Sequence, residues 1–277
     1  MKNDIGVLVH FEKNDNILKK FTEAKEIGIG VCQLCMWNEA MLTEEYANEI
    51  NRAVLETGMR IVALWAGWSG PCEWNFTYGP STIGLVPPAY RESRANTLIR
   101  ASGFAKLIGV DKIITHVGFI PENPDDPNFT GVVGALRKVC KVLKANGQSF
   151  LFETGQETPV TLLRTIQAIG YDNVGINLDT ANLMLYGKAN TLDSLEVFGK
   201  YVMEVHIKDG FYPTDGNKLG REVAAFSGRA NLPAVIKRLG ELGFSGAFTI
   251  EREISGEEQK RDIIATRDLL IKTMSEQ

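Results

Sequence analysis

Short apolar runs alternate with amphipathic stretches along the whole chain. IGVLVHF (5–11), VCQLCMW (31–37) and RIVALWAGW (60–68) read as strands. Between them, NILKKFTEAKEIG (16–28) and TEEYANEINRAVLETG (43–58) read as helices, the second with Thr43 as N-cap and Gly58 just past its end. The rhythm continues with helix 90–109, strand KIITHVGF (112–119) and helix 130–147, then strand SFLFETG (149–155) and helix 158–170. Strand VGINLDT (174–180), helix 191–201, strand VMEVHIKDG (202–210) and helix 231–243, with Asn231 as N-cap, follow. Strand AFTIERE (247–253) and helix 255–274 close the chain. Eight strand–helix units at ~35 residues each predict an α/β fold, a single (β/α)8 TIM barrel, with one domain over 1–277. Two segments, near 69–89 and 211–229, break the rhythm and read as ordered loops over the C-terminal rim.

Side-chain parity turns this pattern into a site. Successive strand residues face opposite ways. In strands five to eight, bulky apolar residues (Phe150 and Phe152; Val174, Ile176 and Leu178; Met203, Val205 and Ile207; Phe248 and Ile250) take one face, expected against the helices. The other face carries Glu153, Asp179, His206 and Glu251 near the C-terminal ends, all expected to point into the barrel. Three carboxylates and an imidazole suit one divalent metal ion (Mn, Mg, Co or Zn) with positions open for substrate oxygens. Such an ion stabilises an enediolate, and a carboxylate on each side of the carbon moves the proton, which makes Glu153 and Glu251 the catalytic candidates. A lone carboxylate at a strand end can instead cap a helix or pair with a lysine; four inward polar residues on four successive strands favour the metal reading.

Other residues at this rim are candidate substrate contacts. His10 and His116 end strands, so all three histidines lie at one end of the barrel. Lys208 shares the His206 face and either meets a substrate oxygen or pairs with Glu204 or Asp209. Trp37, Trp65 and Trp68 either stack on a sugar ring or wall the pocket. Glu204 and Asn177 lie a layer deeper, as supports.

Composition narrows the class. Hydrophobic residues make up 44% and charged residues 23%, with a net charge of −4, so nothing favours nucleic acid or an acidic membrane. No apolar run reaches spanning length and no signal pattern opens the chain, so a cytoplasmic location is expected. Cys32 and Cys35 form a C-x-x-C, but three residues apart on a strand they face opposite ways, which favours core packing over a redox or zinc pair. The oligomeric state stays open, a homodimer or tetramer being among the options.

The motifs THVGFIPENP, FLFETGQETPVTLL, INLDTANLMLYGKAN, VHIKDG with FYPTDG, and FTIEREISG resemble the xylose isomerase-like TIM-barrel superfamily, in its sugar phosphate isomerase/epimerase branch. The resemblance runs over essentially the whole chain. It implies metal binding by Glu153, Asp179, His206 and Glu251, the two glutamates also transferring protons as in ketose 3-epimerases. Those epimerases place a histidine and a glutamate where this chain has Asn182 and Pro159, so their pocket is not reproduced; Asn182 becomes a candidate substrate contact. Related members often carry a Gly-x-Gly turn before the last helix, where this chain has Phe226 in place of one glycine. Endonuclease IV is a more distant likeness, disfavoured by the low histidine count and negative charge. The expected function is thus a metal-dependent isomerase or epimerase acting on a sugar, keto-sugar or sugar phosphate through an enediolate. A keto-sugar lyase or dehydratase, or a non-catalytic carbohydrate-binding barrel, are the alternatives.

Overall fold

The computed structural model describes residues 2–276. Its strands are β1 (Ile5–His10), β2 (Val31–Met36), β3 (Arg60–Ala66), β4 (Lys112–Thr115) and β5 (Ser149–Glu153). Then come β6 (Val174–Asp179), β7 (Val202–Ile207), β8 (Asp209–Phe211), β9 (Arg221–Val223) and β10 (Phe248–Ile250). The helices are α1 (Ile17–Glu26), α2 (Glu44–Thr57), α3 (Gly79–Thr82), α4 (Pro88–Leu107) and α5 (Pro127–Ala145). They continue with α6 (Pro159–Ile169), α7 (Asn182–Leu185), α8 (Thr191–Phe198), α9 (Leu232–Glu241) and α10 (Glu257–Ser275). Eight parallel strands close in the order β1-β10-β7-β6-β5-β4-β3-β2. This is the (β/α)8 barrel that the alternating pattern predicts.

The two faces of the strands build two cores. Leu34, Phe150, Phe152, Ile176, Val205 and Phe248 join the main apolar layer under the helices. Cys35, Ala63, Trp65, Ile114 and Leu151 fill the barrel itself. Cys32 belongs to the outer layer and Cys35 to the inner one, and both are free, so the C-x-x-C serves packing. One parity expectation fails. Ile176 pairs with Val202 but Asn177 pairs with Glu204, so Met203 is an extra residue in β7. At this bulge Met203 turns inward, onto Leu151 and the space left by Gly175, instead of outward with Val205.

Helix ends follow local chemistry, with exceptions. Thr43 caps α2 by accepting from the Tyr46 N–H, and Gly58 ends it in the left-handed region at φ 65°. Asn231 precedes α9 but takes φ 53° and its side chain caps nothing, contrary to the capping role predicted for it. The rhythm-breaking segments are structured. Arg94 is buried and donates to the carbonyls of Pro71 (2.9 Å), Thr82 (2.6 Å) and Gly84 (2.7 Å), with Trp68 stacked 5.1 Å away, so 69–89 is pinned onto α4. In 211–229, strand β9 pairs antiparallel with β8. Among the described residues no helix is long and apolar enough to cross a membrane.

Candidate active site

Each of four neighbouring strands delivers one polar side chain to the same point. Glu153 and Asp179 are the last residues of β5 and β6, His206 is the penultimate residue of β7, and Glu251 follows β10 directly. Register makes them level: Glu153 pairs with Asn177, Asp179 with His206, and His206 with Thr249, two residues before Glu251. One ligand atom from each lies within 4.8 Å of the others. His206 Nδ1 is 3.0 Å from both Glu153 Oε1 and Glu251 Oε2.

A chain of amides decides which imidazole nitrogen faces this point. A carboxylate only accepts, so Asn177 must donate its amide nitrogen to Glu153 Oε2. Asn177 Oδ1 then accepts from Gln33 Nε2 (3.0 Å), which leaves Gln33 Oε1 as the acceptor facing His206 Nε2 (2.6 Å). Nε2 therefore carries a proton, and in the neutral ring Nδ1 is a lone pair aimed at two carboxylates. Asp179 is arranged alike. Its Oδ1 accepts from the N–H groups of Ala181 and Asn182 (both 2.7 Å), while the buried Oδ2 has no hydrogen-bond partner among the described residues. Lone pairs converging from an imidazole and three carboxylates are what a cation accepts, so this donor set fits a divalent ion.

The same field acts on protons. Burial opposes charge on His206, yet Glu153 and Glu251 hold it well above the usual histidine range. Burial raises Asp179 well above an ordinary carboxylate, with Glu251 and Glu153 adding to it against Lys208. Glu251 goes the other way: Lys208 and His206 overcome its desolvation and hold it ionised.

The point lies at the floor of a cavity of about 380 Å³ whose wall includes Trp37, Trp65, Trp74, His10, His116 and Asn182. The indole of Trp37 meets those of Trp65 (4.9 Å) and Trp74 (6.2 Å), and the His116 ring is edge-on to Trp74 (5.1 Å). Trp68 lies behind this wall, under Arg94. Burial lowers the His116 pKa and its Nδ1 lacks a partner among the described residues, so a neutral imidazole faces the cavity. Lys208 is buried and pairs not with Glu204 or Asp209 but with Glu253 (2.7 Å), Glu251 (3.6 Å) and Asp179 (3.7 Å), and also donates to Asn182 Oδ1 (3.3 Å). Glu204 instead pairs with Lys112 (3.1 Å), and Asp209 accepts from backbone N–H groups of its own loop.

Sequence reasoning missed several wall residues. Glu253 shares the parity of Glu251, two positions back, and was legible on that ground. Gln33 is the one polar residue on the inward face of VCQLCMW, also a usable signal. Trp74 and Tyr186 reach the cavity from irregular segments and Glu222 from the short strand β9, whose paths no periodicity fixes.

Known proteins carry the same architecture. A solved xylose isomerase domain protein from Planctomyces limnophilus is 29% identical, with a TM-score of 0.92 over 99% of this chain and 98% of that one. The 3-keto-D-glucoside 4-epimerase of E. coli superposes with a TM-score of 0.73 at 18% identity, covering 98% and 100%. A Mycobacterium smegmatis barrel in complex with magnesium gives 0.75 at 17%, covering 99% and 97%; at such identities the likeness is one of fold. An uncharacterized protein of Methanocaldococcus jannaschii is 25% identical over 195 residues, 69% of this chain, which thus matches about half (55%) of that longer relative. Residues 21–272 match the family described as xylose isomerase-like TIM barrel, and the chain belongs to that family.

Proposed function

We propose that this protein is a divalent-metal-dependent isomerase or epimerase of a sugar or keto-sugar, working through an enediolate. The observation that carries the reading is the convergence of Glu153, Asp179, His206 and Glu251 within 4.8 Å at the floor of an aromatic-walled cavity. The sugar epimerase of the same fold and the magnesium-bound relative support it.

Glu153, Asp179, His206 and Glu251 would hold the ion, which when bound supplies Lewis-acid charge for the oxygens of the enediolate. The chain's own groups do the rest. Glu251 is the more exposed of the two glutamates, with 13% of its side chain open against 1% for Glu153. Ionised beside Lys208, it takes the proton from the carbon next to the carbonyl; the C–H electrons pass to the carbonyl oxygen. Glu153, locked by Asn177 and facing His206, would deliver to the other face a proton drawn from water, and Glu251 would release its own to water, which resets the pair. His116 and Asn182 meet hydroxyls, and the indole wall excludes water and stacks on the ring.

The test is solvent deuterium uptake by candidate ketoses, keto-sugars and sugar phosphates, after metal analysis of the purified protein. About one divalent ion per chain is expected, and Glu153→Gln or Glu251→Gln should lower exchange by at least the ~10²-fold typical of acid–base groups. Full exchange by metal-stripped protein would overturn the reading.

A further inference from the structure

We propose that the cavity selects an uncharged sugar, free or in a glycoside, and rejects phosphorylated and carboxylated ones. This rests on the sugar-enzyme reading above and narrows its substrate.

The first ground is charge. Glu153, Glu222, Glu251 and Glu253 line the cavity, and among the described residues no lysine or arginine does. Two cations beside the lining glutamates are already matched. Lys208 is held by Glu253 at 2.7 Å, and Arg252 by Glu222 at 3.0 Å and Asp262 at 2.7 Å. A divalent ion on the floor would face three carboxylates, which leaves no positive surplus for a dianion. Phosphate-binding sites answer charge with arginine forks or lysine, and among the described residues neither lines this cavity.

The second ground is backbone. Phosphate-binding barrels commonly hold the phosphate on N–H groups of the loops after strands seven and eight. In this chain the corresponding N–H groups after the seventh barrel strand, β7, are taken by the protein's own anion. The buried Asp209 carboxylate accepts from Gly210 (2.8 Å), Gly228 (2.9 Å) and Ala230 (2.9 Å). The loop is wrapped tightly around it: a Cβ on Gly228 would fall 2.2 Å from Asp209 Oδ1, and Phe226 and Asn231 both take left-handed backbone, at φ 67° and 53°. Asp209 thus occupies the nest that a phosphate would need.

The third ground is what the wall offers instead. Trp37, Trp65, Trp74 and Tyr186 present apolar rings of the kind that stack on the C–H face of a sugar. Trp74 is the most open of the tryptophans, at 40% exposure, so it is the lining ring a substituent reaching toward solvent would meet.

Because three of the chain's four tryptophans line the site, intrinsic fluorescence reads binding without catalysis. The manganese-loaded protein would be titrated at fixed ionic strength with fructose, methyl glucoside, phenyl glucoside, fructose 6-phosphate and glucuronate. Saturable quenching is expected for neutral ligands, with the phosphate and the uronate at least tenfold weaker. Trp74→Ala should weaken the phenyl glucoside more than fructose if the natural ligand is a glycoside, and both equally if it is a free sugar. Glu253→Gln, which releases Lys208, should narrow the gap between neutral and phosphorylated ligands at least threefold. Equal or tighter binding of the phosphate, an unchanged gap in Glu253→Gln, or no binding of any neutral sugar would each overturn the proposal. The outcome is separable from the proposed reaction: neutral binding without deuterium exchange removes the isomerase reading alone, while exchange fastest on phosphates removes this inference alone.

Discussion

At the scale of single residues, the site depends on where protons sit. Gln33 does not touch the point where the four ligand atoms meet, yet its Oε1 keeps the His206 proton on Nε2 and so Nδ1 free. Its orientation is fixed in turn by Asn177, and that of Asn177 by Glu153. Gln33→Leu removes the acceptor while keeping the bulk. It is expected to lower divalent-ion affinity by ~10–100-fold, as loss of a metal-supporting partner does. Calorimetry measures the affinity, and ¹⁵N chemical shifts of His206 report the tautomer, which a purely structural role would leave unchanged. The raised pKa values of His206 and Asp179 set a pH dependence. Both shifts favour the protonated forms that an ion must displace, so apparent affinity should rise with pH, by up to roughly tenfold per unit for each proton released. Titrations in buffers of different ionisation heat would count those protons; a flat profile would contradict the assignment.

At the scale of elements, the turn between β5 and α6 carries a buried acid outside the four-residue cluster. Desolvation raises the Glu157 pKa from 4.5 to about 7, and its Oε1 has no partner among the described residues. A carboxyl neutral in the folded state but ionised in the unfolded one binds more protons when folded. Its contribution is therefore complete at low pH, falls as pH rises from 4.5 to about 7, and is flat above. Glu157→Gln keeps the shape without the charge. It should stabilise the fold at pH above 7 by up to about 3 kcal/mol, and remove that slope from urea unfolding curves. An unchanged slope would show that Glu157 is solvated.

At the scale of the whole molecule, the four candidate ligands come from β5, β6, β7 and β10, four adjacent strands of the closed barrel. An ion there would tie half the barrel together and bind only the folded state. At an ion concentration of 100 times Kd this adds ~2.7 kcal/mol. Chelation should then lower Tm by on the order of 5 °C, restored by added manganese and absent in His206→Asn. A Tm insensitive to chelator would argue against binding at this site.

Two periodicities determined most of what can be read without the structure. The alternation of strand and helix patterns specifies the barrel, because each strand must bury one face on helices and the other in the centre. Period-two parity places Glu153, Asp179, His206 and Glu251 on one face and at one end, since both properties follow from local backbone geometry. The tertiary structure alone decided the rest. A bulge at Met203 breaks parity in β7, and bulges depend on pairing with a neighbour. Lys208 chose Glu253 over its sequence neighbours Glu204 and Asp209, because barrel closure brings β10 beside β7. Trp74 and Glu222 reached the cavity on segments held by long-range contacts, the carbonyl grip of Arg94 and the pairing of β8 with β9. And at Phe226 the chain keeps a left-handed backbone, in the segment wrapped around a buried carboxylate that only the folded loop brings into contact with Gly228 and Ala230.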